Sequence, residues 1–252
     1  MHSAAETTAP RTPIIAADDL VIGYGETVIL ERLTFTVPHG EVFAILGGSG
    51  SGKSTLLRNL IGLDPPIGGR LEVDGAPPRQ SDGPPRFGVL FQSGALFGSM
   101  TLAQNVALPL RKWTGLDADA IDVVVRSKLR LVGLEGFENH LPSEISGGMK
   151  KRAGIARALA LDPPLLFLDE PSAGLDPVSS VELDELISTL SRSLGMTTVI
   201  VTHELASIFA IAQSCIMVDR GARGIIARGA PGTLRDGSDD PRVRAFFNRK
   251  PV

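Results

Sequence analysis

Short runs of apolar residues alternate along this chain with longer stretches in which apolar residues recur every three or four positions. A short apolar strand followed by an amphipathic helix is the repeating unit of a parallel sheet. Three such pairs of predicted strand and helix occur at residues 42–46 and 53–61, 165–168 and 177–194, and 198–201 and 205–212. The pattern therefore predicts an α/β fold with a mainly parallel core sheet.

The region between residues 102 and 144 differs, because it has helical spacing and no strand-like alternation. Residues 117–132 are predicted to form a helix that ends at Gly133. The apolar residues on one face of this helix are Ile121, Val125, Leu129 and Val132. We therefore predict a helical insert between two parts of the α/β core. Residues 75–85, which are rich in proline and glycine, are predicted to form a loop.

Composition narrows the classes of function. The 252 residues include 25 Lys and Arg against 28 Asp and Glu, a formal charge of −3 that argues against a broad electrostatic grip on nucleic acid. No apolar stretch approaches the roughly 18 residues that a spanning helix needs, so we expect membrane contact to run through partners. The single cysteine, Cys215, excludes an internal disulfide and fits a reducing compartment. Residues 1–13 lack the apolar core of a signal peptide and are predicted to be a flexible tail.

A glycine-rich segment between the first predicted strand and helix carries the clearest chemistry. The residues that match the phosphate-loop pattern are Gly47, Gly48, Ser49, Gly50, Ser51, Gly52, Lys53 and Ser54. In such a loop backbone N–H groups surround phosphate oxygens, the lysine reaches the β- and γ-phosphates of ATP, and the last hydroxyl binds Mg²⁺. The alternative is a plain Gly/Ser turn, but such turns rarely carry Lys-Ser at this register after an apolar strand.

A second candidate element is the pair of acids that follows the predicted strand at residues 165–168. At the carboxyl end of that strand, Asp169 is placed to hold Mg²⁺ through its hydration shell, and Glu170 to polarise the attacking water. Two acids after a strand are more often only a solvated strand end. Together with the phosphate loop, they complete a candidate site for ATP and Mg²⁺.

Shortly before these acids, the segment Ile145-Ser146-Gly147-Gly148-Met149 precedes a helix predicted at residues 150–161. A Ser-Gly-Gly turn that caps a helix would explain it physically. The segment also resembles the signature motif of the ABC ATPases, which other phosphate-loop ATPases lack, and the resemblance runs from about residue 14 to residue 247. It implies a phosphate-loop ABC ATPase fold, with a mainly parallel core sheet, a small antiparallel N-terminal β portion and a helical subdomain at about residues 93–155. Residues 248–252 would form a C-terminal tail.

Further residues match motifs of this family in order. Tyr24 resembles the aromatic residue that stacks on adenine, Thr55 continues the phosphate loop, and Gln92 matches the glutamine that senses Mg²⁺ and links the nucleotide to the permease. Residues 172–176 match the loop that joins the two subunits, and His203 matches the histidine that contacts the γ-phosphate. A lone tyrosine is more often a packing residue and a strand-end histidine is more often structural, so these assignments depend on order and spacing.

The resemblance implies a head-to-tail homodimer with two ATP molecules between the subunits. The residues that one subunit would present to each ATP are Lys53, Ser54, Gln92, Asp169, Glu170 and His203. The N–H groups and helix dipole that the other subunit would present belong to Ser146, Gly147 and Gly148. A lone subunit would therefore hydrolyse ATP poorly, and closure of the dimer on ATP would be transmitted to a membrane permease.

The chain resembles one branch of the family in particular. Most of the family has glutamine where this chain has Met149, and the loop at residues 75–86 is shorter and richer in proline than usual. Met149 is usual, however, in the ATPases of bacterial Mla/Mce-type transporters, which move phospholipids between the inner and outer membranes. This resemblance implies a permease, an Mce-type lipid-binding protein, a small regulatory subunit and a place on the cytoplasmic face of the inner membrane. The segments that share it are residues 91–97, 100–101, 105–110, 142–149 and 240–247.

Some alternatives stay open at this level. Leu96, Phe97 and Met100 would form an apolar rim beside Gln92 for a permease helix, or would simply pack the helical insert. The basic and aromatic residues 239–252 would brace the dimer, bind a regulatory subunit or lie in solvent. The alternative functions are the ATPase of a small-solute (amino-acid-type) importer and a soluble ABC ATPase that serves an assembly scaffold.

Overall fold

The computed structural model describes residues 12–78 and 83–249. Its strands are β1 (Ile15–Tyr24), β2 (Thr27–Val37), β3 (Val42–Leu46), β4 (Gly68–Val73), β5 (Phe87–Leu90), β6 (Leu165–Asp169), β7 (Thr197–Val201), β8 (Ser214–Asp219) and β9 (Gly224–Gly229). One sheet is antiparallel with the order β2-β1-β4, and the other has the order β5-β6-β7-β3-β8-β9. In the second sheet all neighbouring pairs are parallel except β8 and β9. The predicted α/β fold with a small antiparallel portion near the N-terminus is confirmed.

The two described ranges contain eight α-helices. They are α1 (Lys53–Leu60), α2 (Leu102–Trp113), α3 (Ala118–Leu131), α4 (Gly147–Ala158), α5 (Pro177–Leu194), α6 (Leu205–Ile211), α7 (Pro231–Gly237) and α8 (Pro241–Phe247). The three predicted strand–helix pairs are confirmed to within one residue at each end. Across the two described ranges, no helix combines the length and the apolar character needed to cross a bilayer.

Strand β3 shows how the larger sheet is covered on both faces. Phe43 and Ile45 pack in a cluster with α1 and the antiparallel sheet, whereas Ala44 and Leu46 pack with α6 and α8. Since side chains alternate along a strand, these two sets point to opposite faces. All of β3 is buried, which is typical of a parallel strand enclosed on both faces.

Helices α2, α3 and α4 pack against one another, and in the chain they follow β5 and precede β6. The predicted apolar stripe of α3 is confirmed, because its four residues are at most 8% exposed. The predicted bounds of α4 were wrong: the helix begins at Gly147 instead of Lys150 and ends at Ala158 instead of Leu161. It begins early because Ser146 Oγ accepts a hydrogen bond of 3.2 Å from Met149 N, which caps the first turn.

Helix α8 is folded onto the core rather than solvated. In α8, Val243 is 0% and Phe247 5% exposed, and both pack with α6 and β8. The solvent alternative for residues 241–247 is therefore wrong. The predicted tails at residues 1–13 and 248–252 and the predicted loop at 75–85 lie partly outside the described residues.

Candidate nucleotide site

The phosphate-loop candidate connects the end of β3 to the start of α1. Gly47, Gly50 and Gly52 have φ values of 150°, 72° and 101°, which side chains disfavour. A Cβ at Gly47 would also lie 2.4 Å from the carbonyl oxygen of Val218 and 2.5 Å from Ser51 Oγ. The loop is therefore held so closely against the end of β8 that only glycine fits at its first position.

Lys53 directs its ammonium group into this loop. Nζ donates to the carbonyl oxygens of Gly47, at 2.8 Å, and Gly48, at 3.0 Å, and the residue is 9% exposed. Burial lowers the pKa of Lys53 from its ordinary value, whereas the charges of Glu170 and Asp169 act in the opposite direction. A cation inside a glycine-rich loop is placed to attract phosphate oxygens.

Tyr24 lies beside the phosphate loop with about half of its surface exposed. Thr55 Oγ1 donates a hydrogen bond of 3.0 Å to the hydroxyl oxygen of Tyr24, which ties the ring to the first turn of α1. Tyr24, Ile29, residues 50–55 and Arg220 line a depression of about 240 Å³. An exposed aromatic side chain beside a phosphate loop can stack on a base.

Glu170 follows β6 and has a φ of 45°, which is unusual for a residue with a side chain. Its N–H donates to the carbonyl oxygen of Val201 at 2.8 Å. One carboxylate oxygen, Oε1, lies 2.7 Å from His203 Nδ1, while Oε2 is buried without a hydrogen-bond partner among the described residues. A carboxylate that is held through one oxygen can accept a proton on the other.

Asp169 and Gln92 line a second depression, of about 600 Å³, at the ends of β6 and β5. Burial, followed by the charge of Glu170, raises the pKa of Asp169, whereas Lys151 and Lys53 act in the opposite direction. Burial and a second acid destabilise the ionised form of this carboxylate, and a bound cation would stabilise it. The side-chain oxygens that line this depression belong to Asp169, Gln92 and Ser93, and Ser54 lines the depression beside Tyr24. Carboxylate, amide and hydroxyl oxygens are ligands that Mg²⁺ prefers.

The signature residues 146–148 lie at the N-terminus of α4, near the surface. A Cβ at Gly147 would contact Leu175 Cδ2 at 3.5 Å, and one at Gly148 would contact Ser179 Cβ at 3.4 Å. These residues therefore adjoin the loop at 172–176 and the start of α5. They line neither of the two depressions in the part of the chain that is described. The fold thus brings the phosphate loop, the two acids and His203 together, and it leaves the signature residues apart from them.

Two basic residues at the site were not identified by any sequence motif. Arg220, which follows β8, lines the depression beside Tyr24. Lys151, in the second turn of α4, is 6% exposed and donates to the carbonyl oxygens of Gln92 and, at 3.3 Å, Glu170. A basic residue also stands on each side of Lys151 in sequence, so composition does not reveal which of the three side chains points inward.

An apolar groove of about 360 Å³ lies beside the loop that follows β5. Of the three residues predicted to form an apolar rim, Phe97 lines this groove and is 56% exposed, whereas Leu96 packs against the core. Of the two alternatives, packing of the helical insert therefore fits Leu96, and Met100 does not line the groove. Trp113 lines an adjoining depression. The groove is lined by Pro85, Phe87, Gly88, Val89, Phe97, Leu108, Pro109, Arg157, Ala158, Leu161 and Pro163.

Known proteins resemble this chain along most of its length. The family model described as "ABC transporter" matches residues 30–173. The probable ribonucleotide transport ATP-binding protein mkl of Mycobacterium tuberculosis (strain ATCC 25618 / H37Rv) is 42% identical over 244 residues, which are 94% of this chain and 67% of that protein. The intermembrane phospholipid transport system ATP-binding protein MlaF of Escherichia coli (strain K12) is 41% identical over 237 residues, which are 91% of this chain and 87% of MlaF.

The fold also has a close counterpart among solved structures. The dimeric ATP-binding cassette MJ0796, in a post-hydrolysis state bound to ADP and Pi, superposes with a TM-score of 0.74. The two chains are 29% identical, and the superposition covers 86% of this chain and 98% of that one.

Proposed function

Given that the chain belongs to the ABC transporter family as an ATP-hydrolysing subunit, we propose that it powers the transport of phospholipids between the inner and outer membranes of a bacterium. The proposed cargo depends on the similarity to MlaF, which extends over 87% of that protein. The name of the mycobacterial relative favours a second candidate cargo, a ribonucleotide. Either cargo would be bound by a separate permease, so the chemistry of this chain is the same in both cases.

In the proposed site, adenine stacks on Tyr24 and the phosphates enter the loop. The backbone N–H groups of residues 47–55 and the ammonium of Lys53 bind the phosphate oxygens. The positive φ values of Gly47, Gly50 and Gly52 support this role, because such a backbone can turn its N–H groups toward a ligand. ATP is thus held mainly by backbone groups and one cation.

Ser54, Gln92 and Asp169 are the residues that would hold Mg²⁺. Their hydroxyl, amide and carboxylate oxygens fit its preference for oxygen ligands, and the raised pKa of Asp169 is the signature of a carboxylate that a cation would stabilise. When bound, the ion neutralises charge on the phosphates.

Glu170 would accept the proton of the water that attacks the γ-phosphorus. The new bond joins the water oxygen to phosphorus, the bond to the β–γ bridging oxygen breaks, and ADP and phosphate leave. His203 holds Oε1 of Glu170 at 2.7 Å and leaves Oε2 to receive the proton. The other ring nitrogen of His203 would contact the γ-phosphate.

Ser146, Gly147 and Gly148 would bind the γ-phosphate of an ATP molecule held by a second copy of the chain. They form a helix N-terminus, which attracts anions through its N–H groups and its dipole. Their separation from this chain's own depressions supports a role in a partner's site. The similar cassette MJ0796 is a dimer, which is consistent with such an arrangement.

A permease helix would dock in the apolar groove at Phe97. Phe97 of this groove follows Gln92 in the same loop after β5, so one loop would report the state of the nucleotide to the permease. In this proposal the helical subdomain, at about residues 93–155, moves with the permease. An Mce-type lipid-binding protein and a small regulatory subunit would complete the complex on the cytoplasmic face of the inner membrane.

The test is to purify the tagged chain from detergent-solubilised native membranes and to identify the accompanying proteins and lipids by mass spectrometry. We expect a multi-spanning permease, a lipid-binding protein and enriched phospholipid. A permease with a ribonucleotide- or solute-binding subunit and no bound lipid would overturn the lipid cargo and leave the motor. Recovery with soluble scaffold proteins alone would overturn the role in transport.

A further inference from the structure

The helix that carries the signature residues also reaches into this chain's own active site. Its second turn holds Lys151, which is 6% exposed. The ammonium group donates to the carbonyl oxygen of Gln92 and to that of Glu170, at 3.3 Å. In the described ranges Lys151 forms no salt bridge, and its hydrogen bonds go to the backbone of two residues with proposed roles in hydrolysis. The nearby charges of Asp169 and Glu170 partly offset the burial of its ammonium group.

Glu170 is a residue whose backbone needs such support. Its φ of 45° lies in the left-handed region, which a residue with a side chain keeps only when its surroundings hold it there. The N–H is held by Val201 and the carboxylate by His203. Lys151 donates a hydrogen bond to the third group, the carbonyl oxygen of Glu170. This bond fixes the orientation of the peptide group that follows Glu170. The direction of the carboxylate consequently depends on all three contacts.

The position of Lys151 is itself well defined, because α4 packs tightly on β5 and the loop behind it. A Cβ at Gly88 would lie 2.4 Å from the carbonyl oxygen of Ala158. Six residues beyond Lys151, Arg157 donates to the carbonyl oxygen of Ala95 at 2.7 Å. The helix therefore cannot slide along β5 without breaking these contacts, and the ammonium moves only as α4 moves.

We propose that Lys151 is a positioning residue for ATP hydrolysis, which fixes the backbone of Gln92 and Glu170 from the helix that carries the signature motif. The inference rests on the proposed roles of those two residues. Because the N-terminus of α4 would bind the ATP of the partner subunit, a change at that end would be felt at this chain's own Glu170. Lys151 would thus couple the two sites of a dimer through a single side chain.

The test compares Lys151→Met with Lys151→Arg in the complex purified from native membranes. Lys151→Met is expected to lower kcat about ten- to hundredfold, because a small displacement of Glu170 misaligns the attacking water. The KM and the Kd for ATP should change less than about threefold, since the groups that bind the phosphates stay in place. Lys151→Arg keeps the charge and the donors and should restore most of kcat.

Lys128→Met is the matched control. Lys128 is similarly buried, at 8% exposure, but it pairs with Asp162, which has no proposed role in the site. This variant measures what the loss of a buried ammonium does to stability, and its kcat should equal that of the wild type. If Lys151→Arg is as slow as Lys151→Met and Lys128→Met is slow as well, the effect is one of general packing and the proposal is overturned.

Glu170→Gln, measured in parallel, separates this inference from the proposed function. An inactive Glu170→Gln complex beside a Lys151→Met complex with kcat within about twofold of the wild type would overturn the positioning role alone. Normal turnover of Glu170→Gln would overturn the proposed role of Glu170 and the inference together.

Discussion

The two elements that we propose bind phosphate, the phosphate loop and the signature residues, use the same physics but differ in how far the chain encloses them. Both present backbone N–H groups at the start of a helix. The phosphate loop is pressed against β8 and surrounds the ammonium of Lys53 with its own carbonyls. The signature residues 146–148 lie near the surface and adjoin the loop before α5 and the first turn of α5. The difference teaches that the phosphate loop is built to hold a ligand within one chain, whereas the signature residues, in our proposal, complete the site of a second copy.

The largest effect on this comparison is expected when the phosphate loop loses the cation of Lys53. Lys53→Ala is expected to lower both ATP affinity and turnover, with turnover about 10²- to 10³-fold lower, because one charged donor to the phosphates is removed. The fold should survive, since Lys53 Nζ bonds only to its own loop. ATP binding and turnover of the purified complex are the measurements. Arg126→Ala, which removes an exposed cation paired with Asp122, serves as the control, and equal losses in both variants would contradict the role of Lys53.

A mixed dimer tests directly whether the second element acts in the partner's site. Ser146→Arg should be inactive because the larger charged side chain obstructs the exposed helix end. A mixed dimer of Ser146→Arg and Lys53→Ala has one site with both defects and one site with neither, because a head-to-tail interface pairs different surfaces. An equal mixture of the two variants should recover roughly a quarter of wild-type turnover if the sites act independently. Turnover no higher than that of either variant alone would contradict independent composite sites.

A smaller effect is expected where the signature helix packs on β5. Gly88→Ala places a Cβ 2.4 Å from the carbonyl oxygen of Ala158, a backbone atom that cannot turn aside. The substitution should lower the free energy of unfolding by about 1–3 kcal/mol, which is the usual cost of overpacking. Chemical denaturation measures it. Gly98→Ala is the matched control, since its Cβ would meet nothing within 4 Å, and equal stability of the two variants would contradict tight packing of α4.

The smallest expected effect is a change of stability with pH, and it concerns Cys215 in β8. Cys215 pairs with Ala44 of β3, and burial raises the pKa of its thiol from 9.0 to about 12. Between those values the unfolded chain loses the proton while the folded chain keeps it, so this residue's contribution to stability should fall as pH rises. Unfolding midpoints at pH values from about 8 to about 10.5 measure the change. Cys215→Ala should lack this part of the dependence; an identical slope would contradict it.

Sequence patterns predicted the features that depend on neighbouring residues. The strand–helix pairs follow from periodicity, and the phosphate loop follows from glycines that adopt positive φ. The start of α4 was misplaced because two glycines disfavour a helix, whereas the Ser146 cap compensates for them. The inward position of Lys151 and the division between Phe97 and Leu96 depend on packing between distant segments, which the local pattern does not contain.

The chain contains one tryptophan and one tyrosine, and they lie on different proposed binding surfaces. Trp113 ends α2 in the depression next to the apolar groove, with Lys112 Nζ 4.8 Å from the centre of its ring. Tyr24 borders the depression at the phosphate loop. Excitation at the red edge of the protein absorption band, where tyrosine does not absorb, therefore yields an emission that comes only from the groove side. The molecule thus carries an intrinsic fluorophore for permease docking, and the unmodified chain can be observed while the nucleotide is varied independently.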